Sequence, residues 1–261
     1  KKKRAAAWLM VILLVLTMIQ PVIPAKATET IAAGTCGENA SWVLYSDGLL
    51  EINGTGKMND YSSFDSVWFD YRYEIQSVKI AEGITSIGNF AFAACGVLEK
   101  IDIPDSVTRI GQSAFNNCDN LEELVLSDNV TDIGEYAFCR AGIKNFVFPK
   151  KISSIPEAVF IESGLEHVTI YQDIEEIGER AFDSCSGLKE VDFHGTVKTI
   201  GMEAFSYDYS LVSFGHLKSV NKIGTRAFYK CKKLPGMDMF PGVEYIGAVA
   251  FSSSMDELEH G

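Results

Sequence analysis

The sequence predicts an α/β fold, a solenoid of about eight stacked units of 22–23 residues with a small N-terminal β cap. Three observations lead to this prediction. The word IGxxAF recurs along most of the chain, an alternating apolar pattern typical of a strand precedes the copies, and the residues before the first copy follow a different pattern. Repeats of this length are typical of solenoids, because a single unit cannot bury its own apolar face.

The composition is that of a folded, acidic protein. The 261 residues are 47% hydrophobic and 22% charged, which is ordinary for a globular chain. The formal net charge is −12, and it falls to −17 without residues 1–27, which hold five basic residues and no acidic one. Because nucleic-acid phosphates require a basic patch, this balance argues against a nucleic-acid partner.

Residues 1–27 are predicted to be a secretory signal peptide. They begin with KKKR, continue with fifteen uncharged residues from Ala5 to Ile19, and end in the motif Ala25-Lys26-Ala27. An uncleaved membrane anchor is the alternative, but the apolar run is shorter than the roughly 20 residues that a spanning helix needs. We therefore expect a chain that is secreted or displayed at the cell surface.

Residues 28–74 are predicted to be a β cap that covers the first coil. The stretch WVLYSDGLLEI indicates a hairpin that turns at Asp47-Gly48. The aromatic residues Trp68, Phe69, Tyr71 and Tyr73 are expected to pack this cap onto the first coil. The alternative is that these rings form a carbohydrate-binding platform.

Residues 75–261 carry the repeat, and the sequence stops inside the eighth copy, which suggests a natural continuation. The spacing between copies is 22 or 23 residues throughout. The two shorter steps each lack one residue, before Ile143 and Leu165, where the outer side of a coil can absorb the loss without a change of strand register. The isoleucine of the repeated word falls at Ile87, Ile110, Ile133, Ile155, Ile177, Ile200, Ile223 and Ile246.

A single unit shows the expected local structure. In Leu98–Cys118, Ile101 and Ile103 alternate with polar residues, which is the period of a strand. The apolar positions that follow Ile110 come at offsets of four, five and eight, which fit one face of a short helix or helical turn. Each unit is thus predicted to run strand, turn, short helix and return.

Equivalent positions stack into columns when the units are aligned. A phenylalanine closes every copy, at Phe92, Phe115, Phe138, Phe160, Phe182, Phe205, Phe228 and Phe251, and the first core position of each strand is Val78, Ile101, Leu124, Phe146, Val168, Val191, Phe214 and Met237. Three residues after the phenylalanine lies a slot that takes cysteine, alanine, serine or, once, aspartate. We interpret it as a small buried position. A disulfide between Cys95 and Cys118 is left open, and metal binding by these cysteines is not expected.

The unit LxxVxIPxSVxxIGxxAFxxC resembles the BspA-type, or Treponema-type, leucine-rich repeat. The stretches CDNLEELVLSDNVTDIGEYAF and CSGLKEVDFHGTVKTIGMEAF match it nearly throughout, and GTCGENASWVLYSDGLLEINGTGKMNDY resembles the segment often found before such repeats. The resemblance covers about residues 34–258. It implies a right-handed leucine-rich repeat solenoid that is secreted or surface-displayed, and some family members are adhesins. Departures from the pattern are Pro156, the two short units and His216.

No catalytic motif accompanies the repeat, so we predict that the protein is not an enzyme and needs no cofactor or metal. Asp192 and His194 share a strand face, but no nucleophile motif such as GxSxG occurs. The strands are expected to line a concave face, on which the outward residues form columns. One column is Lys79, Asp102, Val125, Val147, Thr169 and Asp192, and the next is Ala81, Pro104, Ser127, Pro149, Tyr171 and His194. Val125 and Val147 are apolar where polar residues are expected. The candidate ligand-contact residues are Val125, Val147, His167, Thr169, Tyr171, Asp192 and His194.

These features predict a non-enzymatic, adhesin-like recognition module, monomeric, that binds an extracellular protein or glycoprotein through the strand face. The competing interpretation of Val125 and Val147 is that valine suits any strand and that single exposed apolar residues are normal. The alternative function is a rigid spacer that displays or anchors a domain outside this sequence.

Overall fold

The computed structural model describes residues 28–63, 65–215, 217–234 and 239–252. The predicted signal peptide, the strand position Met237, the departure at His216 and the sequence after Ser252 lie outside the described residues. The described chain winds into a β-solenoid of about seven turns. The right-handed winding that the family resemblance implies stays a prediction.

Three antiparallel strands precede the repeat: β1 (Thr30–Thr35), β2 (Asn39–Tyr45) and β3 (Leu49–Lys57). The β2–β3 hairpin turns at Asp47-Gly48, as the sequence predicts, and Gly48 has a φ of 83°, which glycine adopts without steric cost. The strand β3 then pairs in parallel with the first strands of the solenoid. This segment therefore continues the sheets of the coils, while its role as a protective cap stays a prediction.

The strands that the alternating pattern predicts pair in parallel in two successive segments, one of two strands and one of four, which together we call the first ladder. Its buried positions are those of the predicted core column, and each strand presents its other side chains outward. Backbone pairing joins neighbouring coils in register through the last four strands of this ladder, from Asn145–Val147 to Ser213–Phe214. The strands are β4 (Ser77–Ile80), β6 (Lys100–Asp102), β9 (Asn145–Val147), β11 (His167–Ile170), β13 (Glu190–Phe193) and β15 (Ser213–Phe214).

A second parallel ladder runs through the isoleucine of the repeated word. It brings together eight short strands in two sheets, with the break between the third and fourth of them. The strands are β5 (Ile84–Ile87), β7 (Arg109–Ile110), β8 (Asp132–Ile133), β10 (Ser154–Ile155), β12 (Ile174–Ile177), β14 (Val197–Ile200), β16 (Lys222–Ile223) and β17 (Tyr245–Ile246).

The short units leave the strand register intact. Asn145 faces His167, and His167 faces Glu190, although the first pair is separated by 22 residues and the second by 23. The first ladder is interrupted earlier, in the third unit, where a single bridge joins Glu123 to Asn145. The missing residue is therefore absorbed outside the strands, as the sequence predicts.

The outer side of each coil is built of turns, and this corrects the prediction of a short helix. The described residues hold the 3₁₀ helix Phe69–Tyr71, a further 3₁₀ residue at Met239 and no α-helix. In the first seven units two residues four positions apart have a positive φ, for example Phe90 at 53° and Ala94 at 61°. These residues break helical continuity. Alternate backbone N–H groups then bond to the next coil, as Phe92 N does to Ala114 O over 2.8 Å.

The phenylalanine column is a continuous stack that starts at a tryptophan. Trp68 is fully buried, and its ring lies 5.4 Å from that of Phe92 with an interplanar angle of 19°. The pair Phe92–Phe115 repeats this geometry at 5.4 Å and 17°. The indole Nε1 of Trp68 donates to Ala91 O over 2.7 Å. Trp68 therefore joins the N-terminal strands to the first coil, as predicted, whereas Tyr73 is 67% exposed and takes no part.

The slot after the phenylalanine is a small buried position, as predicted. Cys95, Cys118, Cys185 and Cys231 are buried there, and all six cysteines of the chain are free thiols. The thiol of Cys118 donates to Phe92 O, on the preceding coil, over 3.2 Å. The possible disulfide between Cys95 and Cys118 is therefore not formed in this structure.

Candidate functional site

The candidate site is the outward side of the first ladder, which we call the strand face. The pairing of three neighbouring strands places Thr169 between Val147 and Asp192, so residues from three coils lie side by side. Val125 and Val147 both line a shallow cavity of about 260 Å³ between the third and fourth coils. Their exposure is high, 82% for Val125 and 53% for Val147, although neither side chain gains from contact with water.

Aromatic and charged groups continue this face toward the C-terminus. The ring of Tyr171, which is 50% exposed, stacks on that of His194 at a centroid distance of 4.6 Å and an angle of 17°. The Nε2 atom of His194 lies 3.0 Å from an oxygen of Asp192. A second pair, His167 Nδ1 and Glu190 Oε2, lies 3.7 Å apart. Both pairs lie on an exposed surface, and they become ion pairs when the imidazole rings are protonated.

The structure brings all seven predicted residues onto the strand face. Thr169 is half-buried between its neighbours, and the other six are exposed. One outward position of the same columns is corrected: Pro149 is buried, and its carbonyl oxygen accepts a hydrogen bond from Gln172 Nε2 over 3.0 Å. Whether the seven residues contact a ligand stays a prediction.

A second depression on this face was not predicted from the sequence. It has a volume of about 570 Å³ and extends over the first three coils, where Lys79, Asp102 and Val125 line it. Lys79 and Asp102 belong to the same column as Val125 and Val147, so the periodicity identified their position. Their charge marked them as ordinary solvated residues, and only the fold shows that they surround a hollow.

The chemistry of the described residues gives no support to catalysis. In the described ranges no group of three or more His, Cys, Asp or Glu side chains is arranged to hold a metal ion. Burial raises the pKa of the Cys95 thiol to about 12 and that of Cys139 to about 11, so neither is a thiolate near neutral pH. Within the same ranges no helix is long and apolar enough to span a bilayer.

The class of protein follows from these features: it is a solenoid repeat protein with stacked coils, two parallel ladders, a buried aromatic column and an exposed strand face. Residues 57–166 and 153–260 match the BspA-type leucine-rich repeat region in six copies. The chain belongs to the BspA-type leucine-rich repeat family, as the sequence pattern indicates.

Solved structures of bacterial leucine-rich repeat proteins have the same fold. A leucine-rich repeat protein from Eubacterium ventriosum is 19% identical, with 85% of this chain and 95% of that chain covered and a TM-score of 0.51. The leucine-rich repeat protein of T. pallidum is also 19% identical, with 72% and 89% covered and a TM-score of 0.56. Comparison with curated proteins gave no significant match.

Proposed function

We propose that this protein is a non-enzymatic, secreted or surface-displayed recognition module that binds an extracellular protein or glycoprotein through the strand face. The observation that supports this proposal is the presence of exposed apolar and aromatic side chains on three successive coils, at Val125, Val147 and Tyr171, which are 82%, 53% and 50% exposed. Large rings and apolar groups flanked by polar residues are the usual composition of the energetic centre of a protein interface.

The geometry of the face suits contact with a large ligand rather than a small one. The three apolar residues come from successive coils, and the hollows beside them are open and shallow. Small-molecule sites are enclosed and bury most of their ligand. A rigid strand face, in contrast, offers many modest contacts to an extended surface, and its backbone is already ordered before binding.

Export of the chain is part of the same proposal. It rests on the basic start, the apolar run and the Ala25-Lys26-Ala27 motif of residues 1–27. An extracellular protein ligand requires that the strand face be outside the cell. Immunodetection of the protein in the medium or on intact cells tests this part, and detection only in the cytoplasm contradicts it.

The test of the strand face is a binding screen of the full chain against immobilised matrix proteins and a panel of glycoproteins at physiological salt. We expect saturable binding to at least one of them. Val147→Glu and Tyr171→Glu each replace an apolar or aromatic side chain of the strand face with a carboxylate. The double variant is therefore expected to weaken binding about tenfold or more. Surface plasmon resonance measures the affinity, and thermal unfolding confirms that the variant is folded.

Matched controls are available elsewhere on the solenoid. Tyr245→Glu and Val249→Glu change residues that are 55% and 52% exposed but lie on other faces. Glutamate already occupies the equivalent positions of other units, at Glu176 and Glu203, so both controls are compatible with the repeat. If the control variant loses as much affinity as the strand-face variant, or if neither loses any, the proposed site is wrong.

The alternative function is a rigid spacer. Its support is the backbone ladders and the ring stack, which join each coil to the next and make a stiff rod of the described residues. A spacer needs no ligand. Well-folded protein that binds nothing in the screen would therefore favour this function over recognition.

A further inference from the structure

A second surface of this solenoid departs from the acidic character of the chain. No acidic residue occurs in the sequence between Asp208 and Asp238, although the interval holds six basic residues. The chain as a whole has 35 acidic and 23 basic residues. The seventh coil, 211–231, therefore carries a local positive charge on a protein of net charge −12, whereas the sixth coil beside it, 188–208, also holds four acidic residues.

Three tyrosine rings lie on the turn side of these coils, away from the strand face. Tyr207 and Tyr209 are 39% and 44% exposed, and their ring centroids are 6.1 Å apart. The ring of Tyr229, on the next coil, lies 5.4 Å from that of Tyr207. Tyr229 is half-buried. Two exposed rings beside a half-buried one form an aromatic cluster, which favours an interaction surface.

Basic side chains surround these rings. Lys230 Nζ lies 5.4 Å from the centroid of Tyr229, and Arg226 Cζ lies 5.7 Å from it. Lys232 is exposed and occupies the position equivalent to Tyr209 on the following coil. Arg226 is paired with Glu203, but within the described ranges neither Lys230 nor Lys232 forms an ion pair. Their charges are available to an anionic ligand.

The backbone of this surface is already engaged, which disfavours an acidic peptide as the ligand. The N–H of Tyr207 bonds to Tyr229 O over 2.7 Å, and that of Lys230 bonds to Ser252 O over 3.0 Å. Strand addition, in which an extended peptide pairs with free main-chain groups at a sheet edge, is therefore closed to a peptide here. A ligand here must instead be recognised by ring faces, phenol hydroxyls and ammonium groups.

The ring orientations also disfavour a single-stranded nucleic acid. The ring of Tyr207 is inclined by 87° to that of Tyr229 and by 67° to that of Tyr209. Successive stacked bases need platforms of similar orientation. Separate sugar rings place no such demand on their contacts, since each can lie against one tyrosine and exchange hydrogen bonds with a phenol hydroxyl.

We propose that Tyr207, Tyr209, Tyr229, Lys230 and Lys232 form a binding surface for an anionic polysaccharide that carries carboxylate or sulfate groups. The tyrosines contact the sugar rings, and the lysines pair with the anionic substituents. This surface is separate from the strand face, so the protein has two faces for two kinds of ligand.

The test measures binding of the full chain to two anionic polysaccharides, heparin and polygalacturonate, with dextran as a neutral comparison. Calorimetry at low and at physiological salt gives the affinities. We expect binding to at least one anionic polymer, weakened by salt because charges contribute, and no binding to dextran. Failure to bind either anionic polymer at low salt overturns the proposal.

Two variants separate the rings from the charges. Tyr207→Ser with Tyr209→Ser, and Lys230→Glu with Lys232→Asp, are each expected to weaken binding about tenfold or more. The repeat itself provides all four replacements at equivalent positions, namely Ser184, Ser186, Glu162 and Asp119. Ser184 and Glu162 have a φ of 63° and 57°, close to the 63° of Tyr207 and the 66° of Lys230, so the turns are preserved.

The control changes one ring and one charge on a different face, with Lys222 inside the basic interval and Tyr245 just beyond it. Tyr245→Ser with Lys222→Glu alters strands of the second ladder, where Ser86 and Glu176 are the equivalent residues. This variant is expected to keep full affinity. An equal loss in the control, or equally tight binding of polyglutamate or an oligodeoxythymidylate by the unchanged protein, contradicts an anionic polysaccharide site.

Discussion

At the scale of single residues, Asp208 is the exception among the buried positions. It occupies the slot that holds cysteine, alanine or serine in the other units, is fully buried, and neither carboxyl oxygen has a hydrogen-bond partner. The thiols of Cys185 and Cys231, on the two neighbouring coils, each donate to a phenylalanine carbonyl of the coil before. Burial and the nearby Asp183 carboxylate raise the pKa of Asp208 well above its ordinary value. The backbone of Cys185 lowers this pKa, but its effect is the smallest of the three.

The raised pKa predicts that Asp208 makes the fold less stable as the pH increases. Below about pH 4 the carboxyl is neutral in both the folded and the unfolded chain. Above that pH the unfolded chain releases the proton while the folded chain retains it, so stability falls until the pH passes the folded-state pKa. Asp208→Asn removes this titration, and we expect it to be about 1–3 kcal/mol more stable than the unchanged protein at pH 7.

Urea unfolding at pH 7 and near pH 4 measures this difference. The advantage of Asp208→Asn should shrink at the lower pH, whereas a simple packing effect would be the same at both values. Asp208→Cys is the second variant, because cysteine is the residue that the slot accepts in four other units. A pH-independent difference for both variants would show that Asp208 is not the titrating group.

At the scale of the structural element, close contact between coils fixes the glycine that follows the isoleucine. A Cβ atom added to Gly111 would lie 2.4 Å from Asn89 N and 2.5 Å from Gly88 C. Both are backbone atoms that the ladder holds in place, since Gly111 N itself bonds to Ile87 O over 2.9 Å. The fourth unit has Pro156 at this position, and the N–H that makes this bond in Gly111 is absent from proline.

Gly111→Ala is therefore expected to separate two coils and lower the free energy of unfolding by about 1–3 kcal/mol. The matched control is Gly96→Ala, whose added Cβ would lie 3.4 Å from its nearest neighbour, Asp119 Oδ2. The control is expected to stay within about 0.5 kcal/mol of the unchanged protein. Urea unfolding measures the free energy of unfolding of both variants. Equal values for Gly111→Ala and Gly96→Ala would contradict the prediction, because they would mean that the two coils can move apart without loss of stability.

The sequence predicted the strands better than the turns for a physical reason. Alternation of buried and exposed residues is visible in the letters, so Val168, Val191 and the phenylalanine column fell into register. The apolar spacing after each isoleucine fits a helix and a pair of turns equally well. The turns differ from a helix by the positive φ of residues such as Arg140 and Glu162. The sequence does not indicate this backbone conformation, because neither residue is glycine or asparagine.

The strand face illustrates the same limit. Periodicity placed Val147, Thr169 and Asp192 side by side, and the pairing of the strands confirms that placement. The stack of Tyr171 on His194 and the burial of Pro149 depend on how side chains of neighbouring coils meet. Such contacts follow from the three-dimensional path of the coils, and the repeat alone does not specify them.

At the scale of the whole molecule, contacts are made almost entirely between neighbouring coils. The ring stack passes from Trp68 through Phe92 to Phe228, and each ring touches the next one along the column. In such a linear array, stability is approximately a sum over units and their interfaces. Damage at one end is therefore transmitted to the other end only through the coils between them.

This arrangement predicts that the two ends unfold separately when one of them is weakened. Phe92→Ala and Phe228→Ala each remove a buried ring, at a cost of about 3–5 kcal/mol. Trp42 and Trp68 both lie at the N-terminal end of the solenoid. Once the third tryptophan is removed by Trp8→Phe, tryptophan emission measures unfolding of that end alone. Circular dichroism measures the unfolding of all coils. For Phe228→Ala, we expect the dichroism to change at lower urea than the emission.

For Phe92→Ala, the order should reverse, because the lost ring is the one on which Trp68 stacks at 5.4 Å. The unchanged protein, in which no interface is weakened, is the reference for both probes. Coincident transitions in both variants would show that the coils unfold as a single cooperative unit and that interfaces between neighbours outweigh the stability of each unit. Opposite shifts would instead locate the weak interface within the column, since only a quasi-linear molecule lets each end report its own damage.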